Sequence, residues 1–264
     1  MDAANGTRFP TLFIGHGSPM NALERNRYTD AWQAAGAAVG RPRAILAVSA
    51  HWFVRGTRVT AQQRPPTIHD FGGFPPELHA YEYPAPGDPA LAGRVRELLA
   101  PVPVNLDDSW GLDHGTWSVL AHAFPEADVP VVQLALDAGA APESHLAIAR
   151  RLKSLRDEGI LIVATGNVVH NLRTMRLAPG VPPFDWASRF EERTCAAALA
   201  GDDAMLLDLD GAGPDASASV PSVEHYLPFL YAYGAGSGSG AGAASVLTRG
   251  IEGRSISMLS MRFD

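Results

Sequence analysis

Residues 129–164 read VPVVQLALDAGAAPESHLAIARRLKSLRDEGILIVA. An apolar run, Val129–Leu136, leads into PESHLAIARRLKSLRDEG, where Leu146, Ala149, Leu152 and Leu155 recur at helical spacing and Gly159 gives a stop. A second apolar run, Ile160–Ala164, follows at once. Strand, amphipathic helix and strand in this order are the unit of an α/β domain. Strands apolar along their whole length imply a sheet covered on both faces.

The same pattern extends outward. Apolar runs lie at Thr11–Ile14, Ala44–Val48 and Ser255–Met261. DPALAGRVRELLA opens with Asp88 as N-cap and Pro89 at the first helical position, and its apolar face is Leu91, Val95, Leu98 and Leu99. The expectation is one domain over residues 1–264, with a central, mostly parallel or mixed sheet flanked by helices on both faces. Two stretches read as loop: GDDAMLLDLDGAGPDASAS (201–219), and GAGSGSGAGAA (234–244), which lacks the Lys-Ser/Thr of a phosphate-binding loop.

Composition narrows the function. The chain has 264 residues, 46% of them hydrophobic, and a formal net charge of -7. An acidic balance argues against nucleic acid or an anionic membrane as partner. No apolar run approaches the roughly 20 residues of a spanning helix, and the first ten residues are polar rather than a signal sequence. The single cysteine, Cys195, lies within helical FEERTCAAALAG, allows no internal bridge and suits a reducing cytoplasm. A homo-oligomer is compatible with all of this.

The chemistry is carried by nine histidines. His16, His51 and His170 each sit just past an apolar run, and ligands in open α/β sheets bind beyond the carboxyl ends of strands. His225 stands where a loop enters the aromatic segment YLPFLYAYGA, next to Glu224. His114 opens an amphipathic segment bearing Trp117, Leu120 and Phe124. His69 and His79 bracket a Pro/Gly-rich loop, and His122 and His145 read as structural. Imidazoles without cysteine favour Zn, Fe, Cu or Ni over Mg or Ca. There is no G-x-S-x-G nucleophile elbow.

GHGSPMNAL, SAHWF, HDFGGFPPELHAYEYPAPGDP, GLDHGTW, TGNVVHNL and EHYLPFLYAYGA occur in this order, from about Thr11 to the final strand. As a set they resemble the class III extradiol ring-cleaving dioxygenases, in particular the DOPA 4,5-dioxygenase-like branch. The resemblance implies a divalent metal held by His16, His51, His170 and His225, and a small aromatic substrate cleaved with O2. Fe(II) is expected for catalysis and Zn(II) is plausible in the protein as isolated. The region of the last ligand offers both Glu224 and His225, and the branch pattern favours His225. His170 corresponds to a base toward the catechol, and His114 to a histidine that contacts substrate or oxygen. Phe71 and Tyr226 are expected to contact substrate, with Phe74, Tyr81, Trp52 and Trp117 as further walls. The glycines beside His16 are expected to clear space for metal and substrate. The implied product is a muconic semialdehyde. Two other readings stay open: a zinc-dependent hydrolase with His114 or His170 as base, and a non-catalytic metal-binding relative.

Overall fold

In a computed structural model the described residues are 8–176, 180–209, 211, 213–236 and 244–264. Ten strands are found among them: β1 (Thr11–Gly15), β2 (Ala44–Val54), β3 (Thr57–Thr60), β4 (Val104–Asp107), β5 (Val131–Asp137), β6 (Ile160–Gly166), β7 (Ala244–Thr248), β8 (Ile251–Glu252), β9 (Ile256–Ser257) and β10 (Ser260–Phe263). Eight form one mixed sheet in the order β4-β3-β5-β2-β6-β1-β10-β7. Its centre, β5-β2-β6-β1, is parallel. β10 and β7 join antiparallel at one side, and β3 pairs antiparallel with β5 at the other.

The unbroken apolar runs follow from burial on both faces. Along β6, Ile160, Ile162 and Ala164 enter one core while Leu161 and Val163 enter the other; β2 alternates the same way, with Ala44, Leu46 and Val48 opposite Ile45 and Ala47. The first core is closed by helices Pro89–Leu99, Pro142–Arg151, Asp185–Ala200 and Leu227–Gly236. The second is closed by helices Arg27–Val39 and His114–Ala123 through Trp32, Trp117 and Leu120. No helix among the described residues is long and apolar enough to cross a membrane.

Several elements differ from expectation. The helix begun at Pro142 tightens into a 3-10 segment, Leu152–Glu158, before Gly159 ends it in the left-handed conformation. Ser255–Met261 holds two short strands, β9 and the start of β10, instead of one. Residues 201–219, read as loop, contain short helices Asp203–Leu207 and Pro214–Ser219, the first capped by the Asp202 side chain on Met205 N–H. Of the glycine-rich stretch, Gly234–Gly236 closes a helix and Ala244 opens β7; residues 237–243 lie outside the described set. Cys195 is buried in its helix, as read.

Two packing devices fix the helices that carry the site. Arg156, 1% exposed, donates to the carbonyls of Ala235 and Gly236 at the end of helix Leu227–Gly236, and to Phe9 O. These are acceptors the helix leaves unpaired, and a cation suits that end of the dipole. Gly36 lets helices Arg27–Val39 and His114–Ala123 touch, for a Cβ there would lie 2.0 Å from the Ala123 carbonyl oxygen. Gly36→Ala is therefore expected to destabilise the protein by about 1–3 kcal/mol in urea unfolding, as overpacking against backbone does.

Candidate active site

Three parallel strands deliver three of the histidines. His16 follows β1 directly, and its N–H donates to Gly166 O at the end of β6. His51 lies within β2 rather than past it: the strand runs on to Val54, and its register with β5 shifts between Val48 and Phe53, where the Ser49 hydroxyl accepts from His51 N–H. His170 comes four residues after β6 and is held by Ser219 O on its N–H and a bridge to Ile256. His225 precedes helix Leu227–Gly236, its carbonyl accepting from Asn167 N–H. His114 is the first residue of helix His114–Ala123, capped by buried Asp113, whose carboxylate accepts from Thr116 N–H and from Gln133.

The structure brings these five side chains together. His16 Nε2 and His51 Nε2 are 3.1 Å apart. Two nitrogens each about 2.1 Å from one ion, at an angle near 90–110°, would be separated by about 3.0–3.4 Å. Donor atoms of His16, His51 and His225 lie within 4.8 Å of one another; His170, Glu224 and His225 form a second such group, and His51, Asp70 and His114 a third. His170 stacks in parallel on His225 with ring centroids 3.5 Å apart, and His114 tilts over His51 at 3.8 Å. Glu224 accepts from Ser222 and approaches His225 Nδ1 at 3.4 Å.

Electrostatics make free bases of His16, His51, His170 and His225. Burial is the largest influence on each of four rings. It holds His16 and His225 well below the ordinary value, with neighbouring imidazoles adding to the effect. His51 is brought to about 3 by burial and His114, against the pull of Asp70. His170 is brought to about 4 by burial, which Glu224 opposes. Neutral imidazole is the ligating form. His16 Nδ1 is buried with no hydrogen-bond partner among the described residues. This donor set, nitrogen-rich with carboxylates at its margin, fits a transition-metal ion.

A family model, the catalytic LigB subunit of aromatic ring-opening dioxygenase, matches residues 11–263. The chain belongs to this family. Among similar proteins, the 4,5-DOPA dioxygenase extradiol of Escherichia coli (strain K12) is 50% identical over 263 residues, 98% of this chain and 96% of that one. The protein of the same name from Beta vulgaris is 35% identical over 226 residues, 83% of each chain. A crystal structure of an uncharacterized protein from Escherichia coli K12 superposes with a TM-score of 0.85 at 45% identity, covering 97% of this chain and 100% of that one. This LigB-family chain is thus an extradiol ring-opening dioxygenase of a metal-dependent family acting on aromatic substrates with O2.

Of the other residues expected at the site, some lie beside the cluster and some do not. Phe71 meets His114 edge-on at 5.5 Å and packs against Phe74 and His79. Tyr81 stacks on Trp117, whose indole N–H donates to Ile68 O. Trp52 is buried and stacks on Trp110 instead. Tyr226 is not brought to the histidines: its ring lies in the core against Phe190 and Phe229, and its hydroxyl donates to Leu206 O. The helical turn that aims His225 at the cluster turns its neighbour inward. His69 bonds Tyr81 O, while His122 meets Asn21 O and His145 meets Tyr231 and Asp137 O; these three serve the scaffold.

The glycines beside His16 have another purpose than the expected one. Gly15 makes room for the backbone of Met258 and Leu259, and Gly17, at φ +62, faces the Met258 sulfur. The close approaches at the site belong to Gly115, whose Cβ would sit 2.8 Å from the His51 ring, and to Gly166, whose Cβ would sit 2.3 Å from His225 O. Sequence reading also missed Asp70, whose Oδ1 is 3.0 Å from His114 Nδ1 and whose Oδ2 is 3.3 Å from His51 Nδ1. A rule that ligating imidazoles recruit carboxylates was available, but nothing in the chain singles out this aspartate.

Because backbone must move to admit a methyl group, Gly166→Ala should displace His225 and weaken Zn(II) binding at least tenfold, read by chelator competition, in line with losses around metal ligands. The metal-free protein should also lose stability as pH falls. Between about 6.5, where unfolded histidine titrates, and about 4, the unfolded chain takes up protons that native His51 and His170 refuse. Stability then declines toward acid, and urea midpoints measured across that window should show it, with a shallower decline in His51→Gln.

Proposed function

We propose that this dioxygenase opens the ring of a catechol-type substrate, DOPA-like or another small catechol, to a muconic semialdehyde. His16, His51 and His225 hold the metal, which is Fe(II) in the active protein. What supports this reading above all is the convergence of those three neutral imidazoles, His16 and His225 buried and His51 partly so, from β1, β2 and the turn before helix Leu227–Gly236. When bound, Fe(II) supplies the redox chemistry between an aromatic diol and O2 that zinc lacks.

The remaining work falls to the chain. His170, half-buried, kept neutral by burial and stacked on His225, accepts a proton from a catechol hydroxyl. Its parallel stacking on His225 and the nearby charge of Glu224 favour this role over that of a further ligand. His114, with Nδ1 engaged by Asp70, keeps Nε2 for substrate or oxygen, takes up a proton there from the second catechol hydroxyl and returns it as the ring opens. Phe71 lies beside His114 as an apolar wall for an aromatic ring. The DOPA of the relatives' names is the first candidate among catechols.

Reconstitution with Fe(II) in the absence of air, followed by O2 uptake with a catechol panel including DOPA, tests the proposal. Stoichiometric uptake with a yellow product is expected from the iron protein and none from the zinc-loaded one. His114→Ala and His170→Ala should each lower kcat by about 10²–10⁴. An iron-replete protein that consumes no O2 with any catechol would sink it.

A further inference from the structure

Asp70 belongs to none of the strands, yet it reaches two of the five histidines. It sits in the loop between β3 and the short helix Pro76–His79. That loop is strapped just ahead of it: Ile68 N–H donates to Leu112 O at 2.7 Å, Leu112 N–H to Pro66 O at 2.8 Å, and Trp117 Nε1–H to Ile68 O at 2.9 Å. His69, adjacent in sequence, is tied to Tyr81 O at 2.9 Å. The carboxylate is therefore presented by a fixed segment. Its two oxygens divide the labour: Oδ1 accepts from the backbone N–H of His114 and lies 3.0 Å from that residue's Nδ1, while Oδ2 faces His51 Nδ1 at 3.3 Å.

We propose that Asp70 is the positioning residue of the site, one carboxylate that sets the tautomer and orientation of both His51 and His114. A carboxylate only accepts, so each facing Nδ1 carries the hydrogen, and each ring is left with its lone pair on Nε2. For His51, Nε2 is the nitrogen that lies 3.1 Å from His16 Nε2. For His114, Nε2 becomes the one ring atom able to take up a proton, and the imidazolium so formed already has its counter-charge. One side chain thus leaves Nε2 free on both rings, and their places decide its use: beside His16 for His51, and toward substrate for His114.

Asp70→Asn discriminates this from a merely structural role. The amide oxygen can keep the His114 contacts, which leaves its NH2 facing His51 Nδ1. A donor there stabilises the Nε2–H tautomer of His51 and takes away the lone pair directed at the metal. In metal-free protein carrying 15N-labelled histidine at neutral pH, wild type should show Nδ1–H at His51 and His114, and the variant should show Nε2–H at His51 alone. Zn(II) affinity, by chelator competition, should fall about 10–100-fold.

The inference rests on His51 being a ligand, as proposed above. His51→Ala is measured alongside; unchanged Zn(II) binding in that variant would indict the ligand set rather than Asp70. Nε2–H at His51 in the wild type overturns the inference, and needs no variant to fold. So does an Asp70→Asn protein that binds Zn(II) as tightly as wild type. Weaker binding with His51 still in its Nδ1–H form overturns it too, since the loss would then arise elsewhere.

Discussion

His16, His51 and His225 are packed against one another so closely that the cost of burying a charged ring outweighs the carboxylates beside two of them, and this keeps their lone pairs available. The cost of burying a charge explains much of what surrounds them. Carboxylates stay at the margin, Glu224 on one side and Asp70 on the other, each touching a ring without entering the group. Packing then has to hold rings together that gain nothing from one another. Stacked His170 and His225, and tilted His51 and His114, are the outcome.

The scaffold meets that demand by close approach of backbone. β6 ends in Gly166 with the His225 carbonyl almost upon it, and the same carbonyl is bonded by Asn167. Helix Leu227–Gly236, apolar all round and buried, is anchored at its far end by Arg156. His225 is thus set from both directions. On the opposite face, Gly115 lets helix His114–Ala123 descend onto His51. Below it, Asp113, Thr116 and Gln133 form a buried polar ladder between helix and β5.

Most of the fold was legible because its signals are local. Uninterrupted apolar strands, Asp88 before Pro89, and the spacing of Leu146 to Leu155 each report on neighbours in the chain. The site was legible only in part. His16 and His170 follow strands, as position implied, but nothing local says that β2 continues through His51 beyond a register break. Asp70 was invisible because its partners are 19 and 44 residues away in sequence. Tyr226 misled for the opposite reason: it adjoins His225, and one step along a tightening turn reverses where a side chain points. The glycines beside His16 looked like room for a ligand and are room for Met258 and Leu259.

The position of β1 has a consequence for how the molecule comes into being. The first strand lies between β6 and β10, so it has no neighbour in the sheet until the chain has been made past residue 160, and lacks its second until the end. His16 waits with it, and His225 emerges later still. Contacts of such sequence separation form slowly and late. During synthesis, then, the histidines exist for most of the time as scattered side chains on an incomplete sheet. The grouping that gives them their shared chemistry needs β1 beside β6 and His225 against the end of β6.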